Sequence, residues 1–260
     1  MRYPSAIVDP MMLVVVVPTY NERGHLARLA EHVLSLALVN VDVQLLIVDD
    51  ASPDGTGRLA DELARQHPLQ IRVVHRAGKQ GLGSAYIDGA DCALAMGADL
   101  VAQMDADLSH DPAVLATMVN AIRGADVVIG SRYVAGGGVD ADWPRHRKLL
   151  SWLANRVVVP ALLMLPLTDA TSGYRLWRRD ALIRIAPAVN VRSSGYGFQV
   201  EMAYLAYHVG CKIREVPIYF RARELGQSKM DVWASLAAVG EILSIRRTHR
   251  ETRLPPQSSS

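Results

Sequence analysis

The chain has 260 residues, half of them hydrophobic and 21% charged, with a formal net charge of +2. This suits one large domain with a full core, and it excludes a chain that binds nucleic acid or another polyanion through bulk positive charge.

Residues 1–11 read as a loose arm. Residues 13–17 are a continuous apolar, β-branched run, as expected of a strand buried on both faces of a parallel sheet. A helix follows, with Leu26, Leu29, Ala30, Val33, Leu34 and Leu36 on roughly one side. The cycle then repeats. Strands are expected at 45–48, 71–75, 100–104 and 127–131, and helices at 56–66, 83–96 and 112–122. Alternation at this spacing predicts right-handed βαβ crossovers and a Rossmann-like, mostly parallel α/β sheet with helices on both faces. Beyond Ser131 the rhythm changes. Gly136-Gly137-Gly138 reads as a mobile loop, and 147–165 as mostly helical with an interruption near Pro160. Strands are expected at 171–177 and 213–220, flanking a helix at 198–208. Residues 221–230 read as a polar loop, 231–247 as an amphipathic helix, and 248–260 as a disordered tail.

Cys92 and Cys211 form no CxxC pair and read as reduced core residues of a cytosolic protein. No secretory signal is legible. The apolar run 157–167 is far shorter than the ~20 residues of a spanning helix. The chain is therefore not expected to cross a membrane by itself.

In such a sheet, ligands bind outside the carboxyl ends of the strands. The first strand ends in Pro18-Thr19-Tyr20-Asn21-Glu22, the second in Asp49-Asp50-Ala51-Ser52-Pro53-Asp54-Gly55-Thr56, and the fourth in Asp105-Ala106-Asp107. Acids clustered on adjacent strand ends repel one another unless a cation sits among them. Carboxylates without His or Cys suit Mg²⁺ or Mn²⁺, which complete their shells with phosphate oxygens and water. That is the chemistry of a nucleotide-diphosphate site. Taken alone, 50–55 is an ordinary turn into a helix cap. Gly81-Leu82-Gly83 lacks the third glycine of a dinucleotide fingerprint, since Tyr86 stands there, and reads as a helix start.

Seven stretches together resemble the dolichol-phosphate mannosyltransferases, inverting enzymes of glycosyltransferase family 2 with the GT-A fold. They are 17–22, 48–56, 81–86, 104–110, 130–133, 171–175 and 198–202, and the resemblance runs from about Leu13 to Trp233. It is to the soluble or peripheral type without transmembrane helices. The resemblance implies GDP-mannose as donor and a polyprenyl phosphate as acceptor. By motif, it implies that Pro18, Tyr20, Glu22, Val48 and Asp50 hold the guanosine. Asp105, Ala106 and Asp107 would hold metal and diphosphate, with Ser109 where some members carry a metal-binding Gln. Arg132 would reach the donor, and Arg223 and Lys229 would clamp the diphosphate. Asp107, Arg132, Arg223 and Lys229 are thus the expected catalytic group.

On the acceptor side, Arg132, Ser172, Arg175, Arg145, Arg147 and Lys148 are the candidate phosphate ligands. The basic run 145–148 beside an apolar segment containing Trp152 fits a lipid phosphate at a membrane surface. The helix 231–247 reads as lying on the membrane, packing on the core or docking a membrane-anchored partner subunit. The domain expectation is a GT-A domain over 12–247, split into a nucleotide half (12–132), an acceptor half (133–230) and the C-terminal helix. The expected place is the cytoplasmic face of a membrane. The rival readings are a family 2 transferase using UDP-glucose and a non-catalytic nucleotide-binding subunit.

Overall fold

The computed structural model describes residues 9–188, 196–221, 240–242 and 244–249. Its main sheet has seven strands: β1 (Met11–Thr19), β2 (Val41–Asp49), β3 (Ile71–His75), β4 (Leu100–Gln103), β5 (Val127–Ser131), β7 (Arg175–Arg178) and β8 (Ile213–Pro217). They lie in the order β3-β2-β1-β4-β7-β5-β8. Only β7 runs antiparallel to its neighbours, β4 and β5. The chain winds outward from β1 through β2 to β3, then returns to add β4 on the other side of β1. That reversal opens a crevice at the carboxyl ends of β1 and β4.

β1 is central because both of its faces are apolar. Val14 and Val16 enter one core cluster, and Leu13, Val15 and Val17 the other. Helices α1 (Arg23–Leu34), α2 (Thr56–Gln66) and α4 (Val114–Ala121) cover the second face. The first is covered by α3 (Leu82–Ala95), α6 (Val159–Leu163), α7 (Arg179–Ile185) and α8 (Tyr196–His208). Gly89 lets α3 lie close on the sheet, since a Cβ there would come within 2.3 Å of Val16.

The chain beyond Ser131 departs from the sequence expectations in four places. Gly138 is not in a free loop. Gly138–Val139 forms β6, which pairs in parallel with β9 (Tyr219–Phe220) in a second, two-stranded sheet. The expected strand 171–177 begins only at Arg175, because the preceding loop is held by side chains rather than by a ladder. The break in the apolar helix comes as a π turn at Ala154–Val158, between α5 (Arg145–Leu153) and α6. Pro160 lies in the first turn of α6, where a missing N–H costs little. Finally, helix continues through His249, two residues into the expected tail. His249 is buried with its Nε2 2.8 Å from Glu201 Oε1 on α8, and Ile242 and Ile245 enter the core beside it. No helix among the described residues is long and apolar enough to cross a membrane. Most of the expected helix 231–247 lies outside the described residues, as do Arg223 and Lys229.

Candidate active site

The loops after β1, β2 and β4 converge on the crevice, and each contains one non-glycine residue in the left-handed region: Asn21, Ala51 and Leu108. For Ala and Leu such a conformation costs about 1–2 kcal/mol, so surrounding bonds must hold it. Behind Leu108, Asp107 Oδ1 accepts the Ser109 N–H at 3.0 Å, and Ser109 O accepts the Arg221 N–H at 3.1 Å. These bonds bind the Asp-Ala-Asp loop back to the end of β9.

The acids of the second strand end have mostly local work. Asp49 accepts from the Thr19 hydroxyl at 3.0 Å, the Ser52 hydroxyl at 2.6 Å and the Ser52 N–H at 3.1 Å. Asp54 accepts the Thr56 N–H and hydroxyl, at 2.9 and 2.6 Å, at the start of α2. Asp50 is buried and paired with Arg76, the residue after β3. Arg76 also meets Asp88 at 2.8 Å and Ser84 at 2.7 Å. Glu22 Oε2 lies 3.2 Å from His25 Nδ1. The repulsion expected among three acidic strand ends is therefore eased at two of them by Arg76 and by hydroxyl and backbone N–H donors. The third is the Asp105-Ala106-Asp107 end.

At that third end, Asp105 Oδ1 accepts from Tyr86 Oη at 3.1 Å, and the Asp105 N–H donates to His110 Nδ1 at 3.2 Å. Tyr86 is fully buried and its ring stacks on Phe198. Burial pushes the Tyr86 phenol well above its ordinary pKa, with the Asp105 charge adding to the effect, so Tyr86 stays a donor. Burial likewise holds His110 below the usual imidazole value, despite Asp105 and Asp107. A neutral His110 adds no charge to compete with a cation. Asp105 keeps 30% of its side-chain surface open while Asp107 is buried. The buried Ser109 Oγ has no hydrogen-bond partner among the described residues. Two carboxylates with a hydroxyl nearby suit a hard divalent ion that keeps most of its shell for phosphate and water. Among the described residues no group of three or more His, Cys, Asp or Glu forms a metal cage.

Arg132, one residue past β5, is locked in place. Its Nε and Nη2 bond the two oxygens of the fully buried Asp169 at 2.8 and 2.6 Å, and its N–H adds a third bond at 2.9 Å. Nη2 also donates to Thr171 Oγ1 at 2.8 Å. Asp169 is held in turn by Glu215 Oε1, which accepts its N–H at 2.8 Å. The guanidinium is surrounded by the rings of Tyr133, Trp143 and Phe220, 5.4 to 5.9 Å away. Phe220 in turn packs edge-on against His110. Nearby, a Cβ at Gly173 would stand 3.7 Å from Asp105 Oδ1. The loop 169–173 thus touches Arg132 at one end and the Asp105 loop at the other.

Of the other expected residues, Pro18 and Val48 are register partners on β1 and β2. Tyr20 stacks beneath Lys79 Nζ at 4.2 Å. Arg147 sits 5.6 Å from the Trp143 ring, on the same indole that faces Arg132, while Arg145 is exposed and Lys148 donates to Ala141 O. Arg175 lies beneath the site rather than on its surface. It is fully buried, and its Nε and Nη2 donate to the carbonyls of Ser172 and Ala170, at 3.0 and 2.7 Å. Burial lowers its pKa to about 9, so it is still charged at neutral pH. It pins the loop 170–172 from beneath and offers no surface to an acceptor; Ser172 is buried with it. Sequence reasoning missed Arg76, Tyr86, His110 and Asp169 as site residues. Tyr86 and His110 lay inside quoted motifs, but Arg76 follows an edge strand with no motif to mark it.

A mostly parallel sheet flanked by helices, with an Asp-x-Asp loop at its switch point, defines a GT-A glycosyltransferase. The family model for glycosyl transferase family 2 matches residues 14–186, and the chain belongs to that family. It is 47% identical to the undecaprenyl-phosphate mannosyltransferase of Micrococcus luteus, over 85% of this chain and 88% of that one. It is 44% identical to the polyprenol monophosphomannose synthase of Mycolicibacterium smegmatis, over 87% and 84%. The fold matches a crystal structure of glucosyl-3-phosphoglycerate synthase from Mycobacterium tuberculosis with Mn²⁺, UDP and phosphoglyceric acid. There the TM-score is 0.65 at 19% identity, over 90% of this chain and 78% of that one.

Proposed function

We propose that this enzyme transfers mannose from GDP-mannose to a polyprenyl phosphate, with inversion and with the help of Mg²⁺ or Mn²⁺, giving polyprenyl-phosphate mannose. The observation that carries the reading is the meeting of two unlike sites across the loop 169–173: the Asp105–Asp107 pair and the Arg132 box. The names of both close relatives support mannose and a polyprenyl phosphate. Guanine rests on the resemblance of the strand-end motifs. In this reading Pro18, Tyr20, Glu22, Val48 and Asp50 contact the guanosine, with Asp50 held by Arg76. Asp105 and Asp107 bind the divalent ion, as the donor set at that strand end supports. The ion, when bound, supplies positive charge to the departing diphosphate. Arg223 and Lys229 add to that charge.

Arg132 steadies the reacting phosphates between the two sites, and Arg145 and Arg147 draw the lipid phosphate toward it. No general base is needed. A phosphate monoester has its second pKa near ~6 and is already an anionic nucleophile at neutral pH. Asp169, the carboxylate nearest Arg132, is spent on that arginine and on Thr171. Orientation and leaving-group stabilisation then carry the rate.

A membrane surface fits the outer face of α5 and the turns that follow. Leu149, Trp152, Leu153, Val157 and Met164 are exposed there, flanked by Arg145, His146 and Arg156. An amphipathic, basic helix of this kind binds an anionic leaflet peripherally, here the cytoplasmic one. The donor assignment is tested by calorimetry with Mn²⁺ present. GDP should bind and UDP should bind at least tenfold more weakly; the reverse order would support the UDP-sugar reading instead.

A further inference from the structure

The helix that carries these exposed apolar side chains also reaches the arginine of the site. On its inner side Ser151, Asn155, Val159 and Leu163 are all buried and lie four residues apart. In a regular α-helix of 3.6 residues per turn, three such steps drift by about 120° around the axis. The π turn at Ala154–Val158 takes up that drift and keeps the four on one face. Asn155 is where the stripe turns polar. Its Nδ2 donates to Ser151 O at 3.0 Å and to Thr171 Oγ1 at 2.8 Å, and its Oδ1 accepts the Thr171 N–H at 3.2 Å. Thr171 Oγ1 also accepts from Arg132 Nη2 at 2.8 Å and lies 3.3 Å from Asp169 Oδ1. A hydroxyl has two acceptor sites and one proton. With both lone pairs taken by Asn155 and Arg132, its proton can go only to Asp169. Asn155 thus fixes the hydroxyl that completes the cradle of Arg132.

We propose that Asn155 is a positioning residue for Arg132, and that the π turn makes this positioning depend on how the outer face of α5 and α6 sits on an anionic lipid surface. The inference rests on the proposed role of Arg132 at the reacting phosphates. Trp152, Leu153 and Val157, on the outer side, are within one turn of Asn155, so seating the helix on lipid bears directly on the Thr171 contact. Lipid is the occupant favoured because the exposed apolar side chains are bordered by Arg145, His146 and Arg156.

The test compares Asn155→Ala, Thr171→Val and the double variant. Each is assayed with prenyl phosphate in anionic vesicles and with a short, water-soluble prenyl phosphate. GDP–Mn²⁺ affinity and the melting temperature are followed in parallel. Loss of an outer partner of a functional group typically costs about tenfold. Each single variant should therefore lose about that much kcat/KM toward the vesicle acceptor while GDP–Mn²⁺ affinity stays as in the wild type. The double variant should be no worse than Thr171→Val alone, because Asn155 acts on Arg132 only through the Thr171 hydroxyl. Wild-type enzyme should prefer the vesicle acceptor, and Asn155→Ala should lose that preference. Thr171→Val is isosteric and asks the same question should the alanine variant fail to fold. Additive losses, or a lowered melting temperature with unchanged kcat/KM, would overturn the proposal. An Arg132→Lys control separates the two levels. If it is as active as the wild type, the reading of Arg132 falls and the inference with it. If it is inactive while Asn155→Ala and Thr171→Val behave as wild type, only the inference falls.

Discussion

Charge at this site is managed one residue at a time. Asp107→Asn keeps the shape and the bond to the Ser109 N–H while removing a negative charge. Losing about 3 kcal/mol of transition-state stabilisation slows a reaction roughly 100-fold, and transfer by this variant should fall by at least that much. The melting curve should barely move. Near-normal turnover at saturating metal would mean that Asp107 does not serve the ion. Arg76 calls for the opposite pattern. Removing one partner of a buried ion pair strands the other, so Arg76→Leu should destabilise the fold by about 3 kcal/mol because Asp50 is left buried and uncompensated. Urea unfolding checks this, and a midpoint like that of the wild type would show that water reaches Asp50. The place of the Asp-Ala-Asp loop at a strand end was legible in the sequence because the buried apolar run of β4 stops directly before it. The role of Arg76 was not, since a salt bridge between the ends of different strands leaves no local pattern. The bonds of Arg175 were hidden for the related reason that a sequence does not say whether an arginine faces water or backbone carbonyls.

At the scale of elements, the parallel strands were read well because burial on both faces writes continuous apolar runs. β5 is at Val127–Ser131, as the sequence predicts. β6 was not legible, being two residues long and defined only by its pairing with β9, and the expected strand 213–220 divides at Ile218 into β8 and β9. The π turn was equally hidden: the helical period was visible, but the drift of its inner stripe needs the sheet beside it as a reference. The outer face of α5 gives a membrane prediction. Each basic residue near an anionic leaflet contributes about 1 kcal/mol, screened by salt. Binding to anionic vesicles should therefore weaken as salt rises and weaken further in Trp152→Ala. Salt-insensitive binding would mean that the basic flank is not in contact. The end of α8 gives a pH prediction. Burial, with His249 nearby, holds His208 below the ordinary imidazole value. The unfolded chain then takes up this proton first, so the stability His208 contributes is present above about pH 6.5 and is lost as pH falls. The melting temperature of the wild type should drop more between pH 7.5 and 5.5 than that of His208→Gln. Equal drops would place the acid sensitivity elsewhere.

For the whole molecule, the proposed function places the donor on the loops after β1, β2 and β4 and the acceptor on the side of β5, β7 and the helices after β5, with the loop 169–173 between them. An anionic acceptor there needs orientation and no base. The rate should accordingly rise with pH only through the phosphate ionisation near ~6 and then level off. No substitution of Asp49, Asp140, Asp169 or Glu201 should remove an ionisation from that profile, and one that did would point to a hydroxyl acceptor. The central claim is most directly tested by product formation. The protein is incubated with a prenyl phosphate, Mg²⁺ or Mn²⁺, and either labelled GDP-mannose or labelled UDP-glucose, and the lipid is then extracted. Label should enter the lipid phase from GDP-mannose, only with metal present, and in a linkage that mild acid releases as mannose. Label entering from UDP-glucose instead, or from neither donor with metal and acceptor saturating, would contradict the account.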